Sequence, residues 1–158
     1  MKRKLIIMTT TFDPETFLNT TYDEALDTKV TPCPVGEYLG LAEKVEIKPW
    51  AARDGSSSGL KCVILWDIQD ENVKALLGRD TIRVPQDQML DLTETGALDF
   101  GKGKNVGLGR IREALGLNVP GKPFAFSMIQ GQMAKVKVSH RSNGEDLYGE
   151  IKAIAKAN

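Results

Sequence analysis

Between Gly36 and Gln69 the chain reads GEYLGLAEKVEIKPWAARDGSSSGLKCVILWDIQ, two alternating runs on either side of a turn-rich centre. In the first run Leu39, Leu41, Val45 and Ile47 recur at period two, with Tyr38, Lys44, Glu46 and Lys48 on the opposite side. Alternation of that kind predicts a half-buried strand. Glu43 interrupts the apolar row, which predicts a bulge or the approach to a barrel mouth. In the second run Leu60, Cys62, Ile64, Trp66 and Ile68 share one face, and Lys61, Val63, Leu65 and Asp67 share the other. Its centre is apolar on both sides, as in a strand covered on both faces. Pro49 and the run Asp54-Gly55-Ser56-Ser57-Ser58-Gly59 predict the end of both strands and a mobile hairpin tip holding Trp50 and Arg53.

Downstream, residues 70–78 (DENVKALLG) predict a short helical excursion, and Thr81 to Val84 predict a third strand stopped by Pro85. The segment from Gln86 to Gly107 is turn-rich. From Asn105 to Leu115 the residues Val106, Leu108, Ile111 and Leu115 fall on one helical face, with Gly116 as the stop. Gln130-Gly131-Gln132 predicts a turn. Met133 to His140 alternates, with Ala134, Val136 and Val138 inward and Lys135, Lys137 and Ser139 outward. Asn143-Gly144 gives a hairpin signal before a last strand from Leu147 to Ile154. The expected strands are therefore near 36–48, 59–69, 80–85, 133–140 and 147–154, with a helix near 106–115 between the third and fourth. That order predicts a mainly β protein, a five-stranded OB-fold barrel.

Before this domain lies a Thr-rich segment with Phe12, Phe17, Leu18, Tyr22 and Leu26 scattered through it. Asp13-Pro14-Glu15 predicts a helix start, with Asp as N-cap and Pro at the first helical position. Thr31-Pro32-Cys33-Pro34 reads as a stiff lead-in. The expected division is an arm over 1–33 and a barrel over 34–158. With no core of its own, the arm must dock by its aromatics on its own barrel or on a second copy.

Length and charge narrow the class. The 158 residues fit one domain with an arm. Lys plus Arg and Asp plus Glu number 21 each, so any attraction to nucleic acid must come from local clustering rather than net charge. Cys33 and Cys62 have no CxxC spacing and no nearby His, which predicts reduced thiols with Cys62 in the core. The apolar run of MKRKLIIM is too short for a signal peptide, Met1 or Met8 could be the start, and the expected compartment is cytoplasmic, with no membrane role.

Several stretches punctuate the chain in a recognisable layout: Phe17-Leu18, Pro34-Val35-Gly36-Glu37-Tyr38, Ser56 to Leu60, Gly109 to Leu115, Gly131 to Val138 and Gly149-Glu150-Ile151. In this layout, which covers nearly the whole chain, the sequence resembles the small OB-fold single-stranded-DNA-binding proteins of tailed bacteriophages. The resemblance implies sequence-independent binding of single-stranded DNA in phage replication or recombination, inside the host cell, with replication proteins as further partners. It departs from the pattern at its end, IKAIAKAN, where many single-stranded-DNA-binding proteins carry an acidic, partner-recruiting tail.

Catalytic signatures are missing. Gly96 to Gly103 nearly spells a phosphate-binding loop, but Gly103 stands where a hydroxyl would meet Mg²⁺ and no strand leads in, so a flexible Gly/Lys loop brushing a phosphate backbone is the alternative. The single His140 has no partner for a metal site or triad and reads as an exposed residue near a hairpin tip. Among Asp67, Asp70 and Glu71, the first two are placed to flank a cation as in a nuclease site, and a solvated strand end explains them equally well. No enzyme activity, metal or cofactor is expected. The binding reading takes Tyr38, Lys44 and Lys48 on the first strand, Lys61 on the second, Arg83 on the third, and Trp50 and Arg53 in the tip. Aromatic rings would stack on bases while Lys and Arg follow the phosphates. Trp66 belongs with the core. The alternatives are a protein–protein interaction module acting on a host or replication protein through the same face, and a subunit of a nucleic-acid enzyme.

Overall fold

A computed structural model describes residues 13–158. Met1, Met8 and Phe12 lie outside the described residues. The chain divides after Val30 into two units.

In the first unit, helix α1 spans Pro14–Asn19. The Asp13 carboxylate caps it, accepting from the Glu15 N–H at 3.1 Å and the Thr16 hydroxyl at 2.7 Å. These bonds, the Thr16 one foremost, hold the Asp13 carboxyl below its ordinary value. Phe17 and Tyr22 face each other at 6.3 Å between ring centroids, and Phe17, Leu18, Tyr22 and Leu26 are all exposed.

The second unit is one antiparallel sheet of five strands: β1 Gly36–Ala51, β2 Ser58–Ile68, β3 Arg83–Met89, β4 Met133–Asn143 and β5 Asp146–Lys156, ordered β3-β2-β1-β4-β5. Helix α2 (Glu71–Leu77) joins β2 to β3, and helix α3 (Val106–Ala114) lies between β3 and β4 as the apolar period predicts. Leu108 and Ile111 are its buried residues. Asp70 caps α2 through the Val73 N–H at 3.0 Å, so this carboxylate has a structural use.

The unit boundary falls at Val30/Thr31 rather than after Cys33, because the lead-in is stitched to the sheet. The Arg79 guanidinium donates to the Thr31 carbonyl, the Tyr38 hydroxyl donates to Pro34 O at 2.8 Å, and His140 Nε2 lies 2.7 Å from Cys33 O. His140 is thus a half-buried strand residue with a backbone partner, not an exposed tip residue. The hairpin turn lies where Asn143-Gly144 signals it, with Gly144 at φ 66° as the first central residue of the two-residue loop Gly144-Glu145, four residues beyond His140.

The strands differ from their expected form in three ways. First, β1 continues through Pro49 and β3 through Pro85. Both prolines are tolerated because each has a sheet neighbour on one side only. β1 leaves β4 after Leu41, and β3 is an edge. Second, the bulge lies at Glu43 as predicted, between the pairs Ala42↔Trp66 and Lys44↔Leu65, and it reverses the faces. One extra residue shifts a period-two pattern by one. Ahead of the bulge, Tyr38, Gly40 and Ala42 point to the core and Leu39 points out, 38% exposed; after it, Val45 points in. The turn before β4 satisfies the bulged backbone: Gly131 N donates to Ala42 O and Ala42 N donates to Gln132 O, both at 2.8 Å.

Third, the sheet is not closed. No hydrogen-bonded ladder joins the edges β3 and β5, and Pro85 has no N–H to offer there. The two edges still approach each other across this seam, where a Cβ on Gly149 of β5 would stand 3.7 Å from Val84 of β3. The core between the sheet's inward faces holds Cys62, Ile64, Trp66 and Ile68 of β2 with Val84, Val136, Val138 and Ile151. Trp66 is fully buried and its Nε1–H donates to Gln86 Oε1 at 2.9 Å, which gives a partner to Gln86, the one polar residue buried in the core among the described residues. No helix among the described residues is long and apolar enough to cross a membrane.

Candidate nucleic-acid interface

Pairing fixes which predicted binding residues share a surface. The rows run Lys44–Leu65–Pro85, Glu46–Val63–Asp87, Lys48–Lys61–Met89 and Trp50–Gly59, with Asp67–Arg83 one row beyond Lys44. All alternate with the buried residues of β2 and so lie on its outward face. Lys44, Lys48, Trp50, Lys61 and Arg83 are therefore brought together on one face of β1–β2–β3. Arg53 is exposed in the tip that follows Trp50.

Tyr38 is not there. It precedes the bulge and turns inward, packing on the core, with its hydroxyl held by Pro34 O. Burial, with Cys33 close by, raises its phenol above the ordinary value. A base has no ring to stack on at this position.

Trp50 is not in a mobile loop either. It pairs with Gly59 in the ladder, and the tip is the tight segment 52–57, closed by Ala52 N donating to Ser57 O at 2.9 Å. Ser56 N donates to Asp54 Oδ1 at 2.9 Å, and hydrogen bonding to Ser56 lowers the Asp54 carboxyl. The indole lies across Gly59: a Cβ there would stand 3.0 Å from Nε1 and 3.3 Å from Cε2. A side chain at position 59 would crowd the indole, so glycine leaves the ring its room. Its Nε1 has no hydrogen-bond partner among the described residues, and the side chain is half-buried.

The cations on this face are paired. Glu46 Oε1 lies 3.4 Å from Lys44 Nζ and 3.8 Å from Lys48 Nζ. Lys61 Nζ meets Asp87 at 2.7 Å. Arg83 grips the bulge residue Glu43 through Nε and through Nη2, the latter at 3.1 Å from Oε1. Arg83 accordingly pulls the Glu43 carboxyl down, and Glu43 raises the guanidinium. Four cations and four carboxylates (Glu43, Glu46, Asp67, Asp87) alternate over the face, with Val63, Leu65, Pro85 and Met89 between them. Lys44-Glu46-Lys48 at period two announces part of this pairing in the sequence. The contacts of Lys61 and Arg83 need the register, which the sequence does not print.

The segment after β3 is ordered by a contact that sequence reading missed. Asp91 N donates to Asn105 Oδ1 at 2.8 Å, and Asn105 N donates back to Asp91 Oδ2 at 2.7 Å. Asn105 Nδ2 also donates to the carbonyls of Asp91 and Asp99, each at 2.9 Å. Asn105 is the one non-glycine residue at positive φ (53°) among those described, a conformation asparagine tolerates better than most. Gly101 N bonds Asp99 Oδ1 at 2.8 Å, and Leu92 bridges Leu98. The Gly/Lys segment is thus a fastened loop rather than a loose one.

Compared with known proteins, the chain matches no protein-family model and no curated relative.

Proposed function

We propose that the protein binds single-stranded DNA without sequence preference on the outward face of β1–β2–β3, in an OB-type, partly open barrel. The fold reading is supported by the strand order, by α3 between β3 and β4, and by the approach of Val84 to Gly149 across the open seam. The observation that carries the function is Trp50, packed against Gly59 at one end of a sheet face that also carries Lys48 and Lys61. A half-buried indole on a paired strand offers a stacking surface to any base, and lysines beside it follow the backbone. The resemblance to phage proteins supplies the setting, replication or recombination, with replication proteins and a second copy joined through the arm as partners.

Because Lys44, Lys48, Lys61 and Arg83 already have carboxylate partners, binding exchanges one anion for another at each of them. Stacking and Arg53, which has no ion-pair partner among the described residues, then carry more of the affinity, and the salt slope is shallower than a count of cations suggests.

The test is oligo-dT against duplex DNA of equal length, with Trp50→Ala beside the natural chain. Single strand is expected to bind more tightly than duplex. Trp50→Ala is expected to lose about 1–3 kcal/mol with little change in salt slope. Equal binding of duplex and single strand, or an indifferent Trp50→Ala, would refute the proposal. The balanced, interleaved charges with Leu65, Pro85 and Met89 between them also suit a protein interface, so the interaction module would then take its place.

A further inference from the structure

Phe100 is 79% exposed, on a loop whose backbone is nevertheless fastened. An aromatic ring held in water by an ordered loop gains nothing from the core. The residue before it, Asp99, gives its carbonyl to Asn105, and Asn105 is locked to Asp91, so Phe100 stands one residue from the clamp. Lys102 and Lys104 follow, both exposed and neither with an ion-pair partner among the described residues. They contrast with the paired lysines of the sheet face.

Register places this loop. Met89 pairs with Lys61, and Leu90 N donates to Leu60 O at 3.1 Å. Extending that register by one residue beyond the ladder would set Asp91 beside Gly59, on the side opposite Trp50. With strands spaced about 4.8 Å apart, the backbones of Trp50 and Asp91 are roughly 10 Å from each other. Both the indole platform and the clamp that carries Phe100 are therefore at the same end of β1–β2–β3, flanking a residue without a side chain.

We infer that the loop 99–104 is a second contact for the single strand, Phe100 stacking on a base and Lys102 and Lys104 neutralising phosphates beyond the one engaged at Trp50. This rests on the proposed function and extends it: the strand leaves the sheet face at its Trp50 end and continues over this loop. The unpaired lysines supply the ionic attraction that the balanced sheet face lacks.

Oligo-dT of increasing length, from about 4 to 16 nucleotides, binds the intact protein in the test. Phe100→Ala is expected to weaken the longer oligomers roughly five- to hundred-fold, with the shortest binding oligomers affected least. The double variant Lys102→Ala/Lys104→Ala is expected to shallow the salt slope by about two while Phe100→Ala leaves it in place. All three side chains are exposed, so an unchanged unfolding curve is expected and confirms that binding alone is being read. If Trp50→Ala weakens binding while Phe100→Ala and the double-lysine variant do not, the loop is off the path and this inference fails with the sheet-face reading intact. If the natural chain binds no oligomer of any length, both fail together.

Discussion

Gly40 of β1 and Trp66 of β2 compete for one volume. A Cβ on Gly40 would stand 3.2 Å from Cε3 of the ring and 3.2 Å from both methyl carbons of Val136. Trp66 and Val136 are fully buried, so neither has space to retreat. Gly40→Ala is expected to destabilise the fold by about 1–3 kcal/mol despite the better strand propensity of alanine, because overpacking a filled core dominates. Urea unfolding of the variant measures it, and an unchanged or higher midpoint would contradict the packing described.

Glu43 restrains Arg83, and removing its charge is expected to favour DNA. Glu43→Gln leaves the guanidinium without its ion pair, and Asp87→Asn does the same for Lys61. Each variant is expected to bind oligo-dT several-fold more tightly, with a salt slope steeper by about one. The pH dependence has a defined sign. Arg83 holds the Glu43 carboxyl below its ordinary value, so the pair's small stabilisation is present above that ordinary value and is lost as pH falls through the lowered one. Acidification through that window should move the natural chain toward Glu43→Gln in DNA affinity. Identical slopes in all three proteins would take Arg83 and Lys61 out of the interface.

Both thiols are expected to be silent in the folded protein. Cys62 is fully buried and its thiol is pushed up to about 11, and burial also raises Cys33. Alkylation at neutral pH should therefore follow unfolding and label both residues only in denaturant. Since folding raises the Cys62 value from 9.0 to about 11, stability is complete below 9.0 and declines as pH rises through that interval. Rapid native labelling would mean a looser core.

The arm is expected to govern assembly. Phe17, Leu18, Tyr22 and Leu26 are exposed on a segment of its own unit, while Thr31, Cys33 and Pro34 are bonded to the sheet unit. A chain beginning at Thr31 should keep its unfolding midpoint and run as a monomer, where the full chain is expected to associate. A full chain that is monomeric at every concentration would remove the homo-oligomer.

What the sequence disclosed follows from which contacts are local. The alternation of Cys62 to Ile68, the α3 face of Leu108 and Ile111, and the Asp13 cap depend on neighbours a few positions away, and all three are present. The bulge was legible at Glu43, yet its effect on Tyr38 was not. A row of leucines reads as a core face unless the volume of Trp66, more than twenty residues later, is known to require Gly40 and Ala42 there. Pro49 and Pro85 read as strand ends because nothing local tells an edge from a centre. Asp91 and Asn105, 14 residues apart, pair through loop geometry that no period encodes.

The two halves of β1 close over very different lengths of chain. Its pairing with β2 begins at a six-residue tip, so that hairpin closes within a short stretch of chain. Its pairing with β4 begins with Gly36 opposite Val138, roughly a hundred residues away in the chain. Bringing ends that distant together costs far more chain entropy than turning a hairpin. The β1–β2–β3 meander is therefore expected to form first and β4–β5 to join it in a later step, an order that φ-values at Val63 and Val136 would check. Until that step, the edge of β1 from Gly36 to Leu41 stands unpaired, and it is there that a partly folded chain is most exposed to aggregation.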